Sequence, residues 1–117
     1  MARKEKHLEQ YIRNKKLANN KELIDDNNYD WNVVVGFYSA LHCLESKFAE
    51  ENFHSSIHES RKKYMNANRK YQSIVKVYEN LEMLSRKARY NCIKIKKKNF
   101  DDAMKNLEQI ENFVGIK

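Results

Sequence analysis

The stretch Asp30–Glu51, DWNVVVGFYSALHCLESKFAEE, decides the fold. Trp31, Val33, Val34, Val35, Phe37, Tyr38, Ala40, Leu41, Leu44 and Phe48 put apolar side chains nearly all round a helical projection. A helix that is apolar on every face belongs at the centre of a bundle or in an interface. The β-branched triplet at 33–35 would also suit a strand, but it lies inside a long stretch of helical period. Gly36 costs about 1 kcal/mol relative to Ala inside a helix, so its presence there predicts a close neighbouring backbone. Asp30 stands where an N-cap is wanted.

Outward from this helix, residues 4–25 carry Leu8, Tyr11, Ile12, Leu17, Ala18, Leu23 and Ile24 on an imperfect apolar stripe that the polar DDNNYD ends. On the other side, Ser56 followed by Glu59 has the spacing of a capping box and predicts a third helix running to about Asn68. Residues 70–90 are the clearest amphipathic helix, with Tyr71, Ile74, Val75, Tyr78, Leu81, Leu84, Ser85 and Ala88 at helical spacing. NCIKIKKK, residues 91–98, breaks that period and reads as an extended connector. Asn99 is the expected cap of a last helix bearing Phe100, Ala103, Met104, Leu107, Ile110, Phe113 and Val114, which Gly115 ends. Short connections between amphipathic helices favour antiparallel neighbours. The expected fold is therefore all-α, an antiparallel up-and-down bundle of four to five helices, with residues 1–117 as a single domain.

Composition agrees. The 117 residues include no proline and two glycines, with 41% hydrophobic and 33% charged residues, a charged-surface helical make-up rather than a turn-rich β protein or a disordered tail. No apolar run approaches the roughly 20 residues that span a bilayer, and MARKEKHLEQ lacks the apolar core of a secretory signal, so the expected location is cytoplasmic with no membrane partner. Cys43 and Cys92 form no CxxC, which argues against a disulfide framework or a cysteine zinc site. The formal net charge of +7 is unevenly placed: residues 61–98 hold 13 lysines and arginines against Glu79 and Glu82, whereas residues 25–60 hold seven acids against Lys47. A basic face of this kind attracts phosphate-bearing ligands or an acidic partner; lysines that serve only solubility would give the same count.

Three features could carry chemistry. HSSIHESR, residues 54–61, sets two histidines four apart, but a cap at Ser56 would leave His54 outside the helix and His58 in its first turn. The acid does not fit HExxH and no third ligand is evident, so no metal or cofactor is expected there. His58 and Arg61 at a helix start would instead suit a phosphate, with the helix dipole keeping His58 neutral and able to act as a base. SRKARY, residues 85–90, places Arg86, Arg89 and Tyr90 on one side of a helix end, two fork-shaped donors and a phenol suited to phosphate or base stacking. His42, four residues after Tyr38 on the central helix, is the third candidate; a buried, hydrogen-bonded histidine would look the same in sequence.

Together the segments DWNVVVGFYSALHCLESKFAEE, HSSIHESR and YENLEMLSRKARYN, followed by FDDAMKNL, resemble the HEPN superfamily (higher eukaryotes and prokaryotes nucleotide-binding), most closely small stand-alone prokaryotic members, over about residues 29–114. The resemblance implies a helical bundle, commonly a homodimer, that binds RNA or a nucleotide and in many members is a ribonuclease of a toxin–antitoxin or defence system. It also implies a phosphate-contacting role for Arg86. The nuclease members carry an arginine, four to six residues, then a histidine; counting from Arg86 those positions hold Asn91, Cys92 and Ile93, and from Arg89 they hold Lys94, Ile95 and Lys96. The usual catalytic pair is absent, so any proton transfer would fall to His58, His54 or His42. Three readings follow: an RNA or nucleotide-phosphate binder using Arg61, Arg86, Arg89, Tyr90 and His42, which His58 or His54 with Arg86 could make a metal-independent ribonuclease; a catalytically silent interaction module that docks a nucleotidyltransferase-like or other protein partner; and a bundle with no nucleic acid role whose basic face meets an acidic protein.

Overall fold

In the computed structural model, which describes residues 3–55, 57–90 and 93–116, the chain is an all-α bundle. Its α-helices are α1 (Lys4–Ala18), α2 (Asp30–Glu50), α3 (His58–Ala67), α4 (Gln72–Tyr90) and α5 (Lys97–Val114), with single 3₁₀ turns at Lys21–Leu23 and Arg69–Tyr71. None of the helices is long and apolar enough to cross a membrane.

Paired contacts fix the directions. Lys4 meets Glu50, His7 meets His42, and the Tyr11 and Ala18 carbonyls accept from Ser39 and Asn32, so α1 and α2 are antiparallel. Helix α4 returns along α2, with Tyr71 against Phe48 and Arg89 against Tyr38. Helix α5 runs with α2, from the Tyr29–Phe100 pair to Lys47 over the Phe113 ring. The four long helices thus alternate up and down in chain order. The short α3 departs from that rule: the loop after α2 doubles back, so Arg61 and Tyr64 pass Glu45 and Glu51 in the same sense as α2.

Helix α2 is central, as its all-round apolarity predicts. Val33, Phe37, Ala40, Cys43, Leu44 and Phe48 join a core that includes Tyr11, Met65, Tyr71, Tyr78, Leu81, Ala103, Leu107 and Ile110. Trp31 and Tyr38 are exceptions, both exposed. Gly36 does not admit a neighbouring backbone: a Cβ there would lie 2.7 Å from the Met104 terminal methyl, so a flexible side chain from α5 fills the notch.

The element ends correct several expectations. Helix α1 stops at Ala18 rather than 25, because Asn19 caps it and the Asn20 side chain accepts from the Glu22 N–H at 2.9 Å, a local bond that competes with helix continuation. Asp26 and Asn27 then adopt φ of 51° and 59°, and Asp25 and Asn28 exchange backbone hydrogen bonds at 3.2 and 2.8 Å. Positive φ at both central residues is what a two-residue primed turn needs, and Asp and Asn tolerate it best after glycine. Asp30 is not the cap of α2 but its first helical residue, its carboxylate accepting from the Trp31 N–H at 2.8 Å. The cap position of α3 is Ile57, with Ser60 bonded back to the Ile57 carbonyl; Ser56 of the expected capping box lies outside the described residues. Asn99 sits in the first turn of α5, three residues after the cap position Lys96, and accepts from the Lys96 N–H at 3.0 Å. Gly115, at φ 87°, ends α5 in the left-handed conformation as expected.

One end of the bundle is closed by aromatic rings. Phe48, Phe53, Tyr64, Tyr71 and Phe113 pack edge-on and stacked, and the Tyr64 and Tyr71 hydroxyls both donate to Glu51, at 2.7 and 2.8 Å. Burial works against the Glu51 carboxylate, but donors from Lys70, Tyr64 and Tyr71 outweigh it and hold its pKa down; the same contacts, after burial, push Tyr64 up to about 12. The opposite end is held by Asn28, whose side-chain oxygen accepts from both Asp30 and Ile95, while Tyr29 donates its backbone N–H to the Ile95 carbonyl.

Candidate anion groove and its neighbouring histidines

Because α4 returns antiparallel over α2, its last turn lands beside Tyr38. Arg61, Arg86, Arg89 and Tyr90 therefore line one open groove of about 480 Å³ with Phe37, Tyr38, Leu41 and Glu82. Four residues predicted from two separate motifs share this wall.

Their roles differ. The Arg89 guanidinium donates to the Tyr38 hydroxyl at 2.9 Å and lies 5.9 and 5.1 Å from the centroids of the Tyr38 and Tyr90 rings. Its Nε–H is buried and meets no acceptor among the described residues. An arginine held by two π faces and one phenol, with a donor left over, is set up for an anion. Arg86 is more exposed and pairs with Glu82 one turn back at 2.7 Å, an i, i+4 bridge open on the arginine side, 63% exposed, and largely covered on the carboxylate side, 13% exposed. Tyr90, 70% exposed, presents its ring to solvent at the groove edge.

Arg61 is built in rather than presented. It donates from Nε to the Tyr78 hydroxyl at 3.1 Å and from Nη1 to Glu45 at 3.3 Å and Ser55 at 3.4 Å, and Ser55 in turn bonds Glu45. A buried arginine committed to a buried carboxylate supports the groove wall and its positive field more than it offers free donors.

The histidines stand elsewhere. His42 faces α1, where its Nδ1 lies 3.0 Å from that of His7, so one ring donates and the other accepts. Burial first, then His7 and Arg61, hold His42 down to about 4. His7 is also lowered, by burial, with Glu45 opposing and His54 adding to the effect. His54 thus belongs to the His7 neighbourhood. None of these three lines the groove. His58 opens α3, but its side chain lies outside the described residues. Among the described residues no group of three or more His, Cys, Asp or Glu side chains could hold a metal ion.

Sequence reasoning missed His7, Tyr38, Glu45 and Tyr78 as members of these two clusters. The i, i+4 spacing of Tyr38 and His42 was a signal for the first helix face only. Nothing in sequence tells that His7 lies across from His42, or that Glu45 is the buried counter-ion of Arg61.

Comparison with known proteins gives no match: no family model fits the chain, and no curated protein or solved structure is significantly similar to it.

Proposed function

We propose that the chain is a HEPN-like protein that binds the phosphates of RNA or of a nucleotide in the groove between α2 and α4. The observation that carries this reading is Arg89, whose guanidinium lies 5.9 and 5.1 Å from the Tyr38 and Tyr90 ring centroids with a buried Nε–H that meets no acceptor among the described residues. A phosphate oxygen would satisfy that donor, Arg86 would swing from Glu82 to a second oxygen, and the exposed Tyr90 ring would take an adjacent base by stacking. The basic α4 end supplies long-range attraction.

Binding is favoured over cleavage. In a ribonuclease of this kind a histidine would take the 2′-hydroxyl proton while arginine stabilised the charged transition state, so the histidine has to reach the same phosphate. His42 and His54 are placed with His7 rather than on the groove wall, and the side chain of His58, the remaining candidate, lies outside the described residues. This placement supports the silent binding or docking role, with a protein partner such as a nucleotidyltransferase-like chain and a homodimer among the arrangements that the family resemblance suggests.

The test is anisotropy of labelled single-stranded RNA and of labelled nucleotide against metal-free protein across a salt series. Two phosphate contacts predict a log–log salt slope of about −1.4 on single strands. Arg89→Gln is expected to abolish the salt-dependent binding, while Glu82→Gln, which releases Arg86, strengthens it. Affinity that survives Arg89→Gln unchanged would sink the groove, and RNA cleavage by the metal-free protein would overturn the non-catalytic reading.

A further inference from the structure

Asn32, 1% exposed near the start of α2, has an unusual balance of hydrogen bonds. Its carboxamide nitrogen donates to the Ala18 carbonyl at 2.9 Å and the Asn20 carbonyl at 3.0 Å, so both N–H bonds are spent and the amide is locked in one orientation. Its Oδ1 accepts nothing from the described residues. A buried acceptor without a donor keeps its desolvation penalty uncompensated, and such groups in native proteins have reasons.

The same residue lines a cavity of about 700 Å³ beside the α1–α2 connection. Ile24 and the stacked pair Tyr29 and Phe100, centroids 5.5 Å apart, give it an apolar, aromatic wall. The exposed Lys21 and Lys97 also line it, Lys97 pairing one turn on with Asp101 at 3.4 Å in an exposed i, i+4 bridge that an anion can exchange. Asp26, which also lines it, is 90% exposed and pairs with Lys94 at 3.6 Å, so solvent and that lysine together screen its charge. Asn19, Asn27 and Asn32 add polar groups to the lining, and a recess with an aromatic wall, a few polar groups and charge at the mouth is a usual make-up of a small-molecule site.

We infer that this cavity is a second ligand site, separate from the Arg89 groove, for a small planar heteroaromatic anion with a ring N–H. The ring lies against Tyr29 and Phe100, its N–H donates to Asn32 Oδ1, and its carboxylate or other anionic substituent points to Lys21 and Lys97. The chemistry of each wall selects one part of such a ligand. A carbocyclic acid would lack the donor, and a neutral heterocycle would leave the lysines unused.

Because Asn32 also ties the end of α1 to α2, the hydrogen bond is removed from the ligand side rather than from the protein. Indole-3-acetate, indole-3-carboxylate and orotate are titrated into the full chain while backbone amide NMR shifts are followed, with 1-methylindole-3-acetate as the partner that lacks the N–H. The expected result is a shift pattern centred on Ile24, Tyr29, Asn32 and Phe100. Affinity should weaken about tenfold on N-methylation and several-fold in Lys21→Gln, with no change in Arg89→Gln. Equal affinity for the N-methylated ligand would overturn the assignment, as would loss of binding in Arg89→Gln or silence of the whole panel at millimolar concentration.

Discussion

Severing the Glu45–Arg61 pair should cost far more than removing it. The two side chains are 4% and 11% exposed, and Ser55 also donates to the carboxylate. Arg61→Met therefore strands a charge in the interior and deprives the Tyr78 hydroxyl of its Nε–H contact, a change expected to cost about 3–5 kcal/mol. For a chain of this size each kcal/mol is about 4 °C in Tm, so the variant should melt about 12–20 °C lower. Glu45→Leu combined with Arg61→Met removes both charges and fills the space with apolar atoms; that double variant should return to within about 1 kcal/mol of the parent. Urea denaturation of the parent, both single variants and the double closes the cycle, with a coupling of at least about 2 kcal/mol expected. Additive losses would refute the buried pair. If the double variant also keeps the RNA affinity of the parent, Arg61 is a wall of the groove rather than a contact in it.

Other outcomes follow from single features. The His7–His42 pair is neutral in the fold, and His42 sits near 4 against an unfolded value near 6.5. A base with a lowered folded pKa gives full stability above its unfolded pKa and loses it as pH falls, so stability should decline from about pH 6.5 toward pH 4, with Glu45 easing and His54 and Arg61 deepening the loss. His7→Phe with His42→Leu should flatten that part of the pH–stability curve, measured by urea midpoints at fixed ionic strength. Gly36→Ala should change stability by less than about 1 kcal/mol, since the gain in helix propensity offsets the displacement of the Met104 methyl; calorimetry reads it directly. The Cys43 thiol, pushed up to about 12 by burial and then by Glu111, should react with a maleimide only on unfolding, so its labelling rate should track denaturant.

The sequence carried the helices because their apolar periods are strong and local. The central position of α2 followed from Val33, Phe37, Leu44 and Phe48 alone, and Gly115 could end α5 by its own backbone freedom. What it could not carry was set by tertiary contact. The early stop of α1 depends on Asn20 folding back onto Glu22. The parallel course of α3 depends on a loop that brings Ser55 to Glu45. The arginines of SRKARY were legible as a cluster, but Arg89 gained its environment from Tyr38, 51 residues away, and HSSIHESR split its members between two places: Arg61 entered the groove wall and His54 joined His7. Pairings across helices leave no trace in spacing within one helix, which is why Asn32, an ordinary polar residue in an apolar run, drew no notice.

Asn28 gives the bundle a property that neither of its two connections has alone. One carboxamide oxygen receives the amides of Asp30, two positions on, and of Ile95, 67 positions on. The two connections therefore form a single cooperative unit: in native-state hydrogen exchange the amides of Tyr29, Asp30 and Ile95 should be released by one shared opening. Loosening either connection unlatches the other.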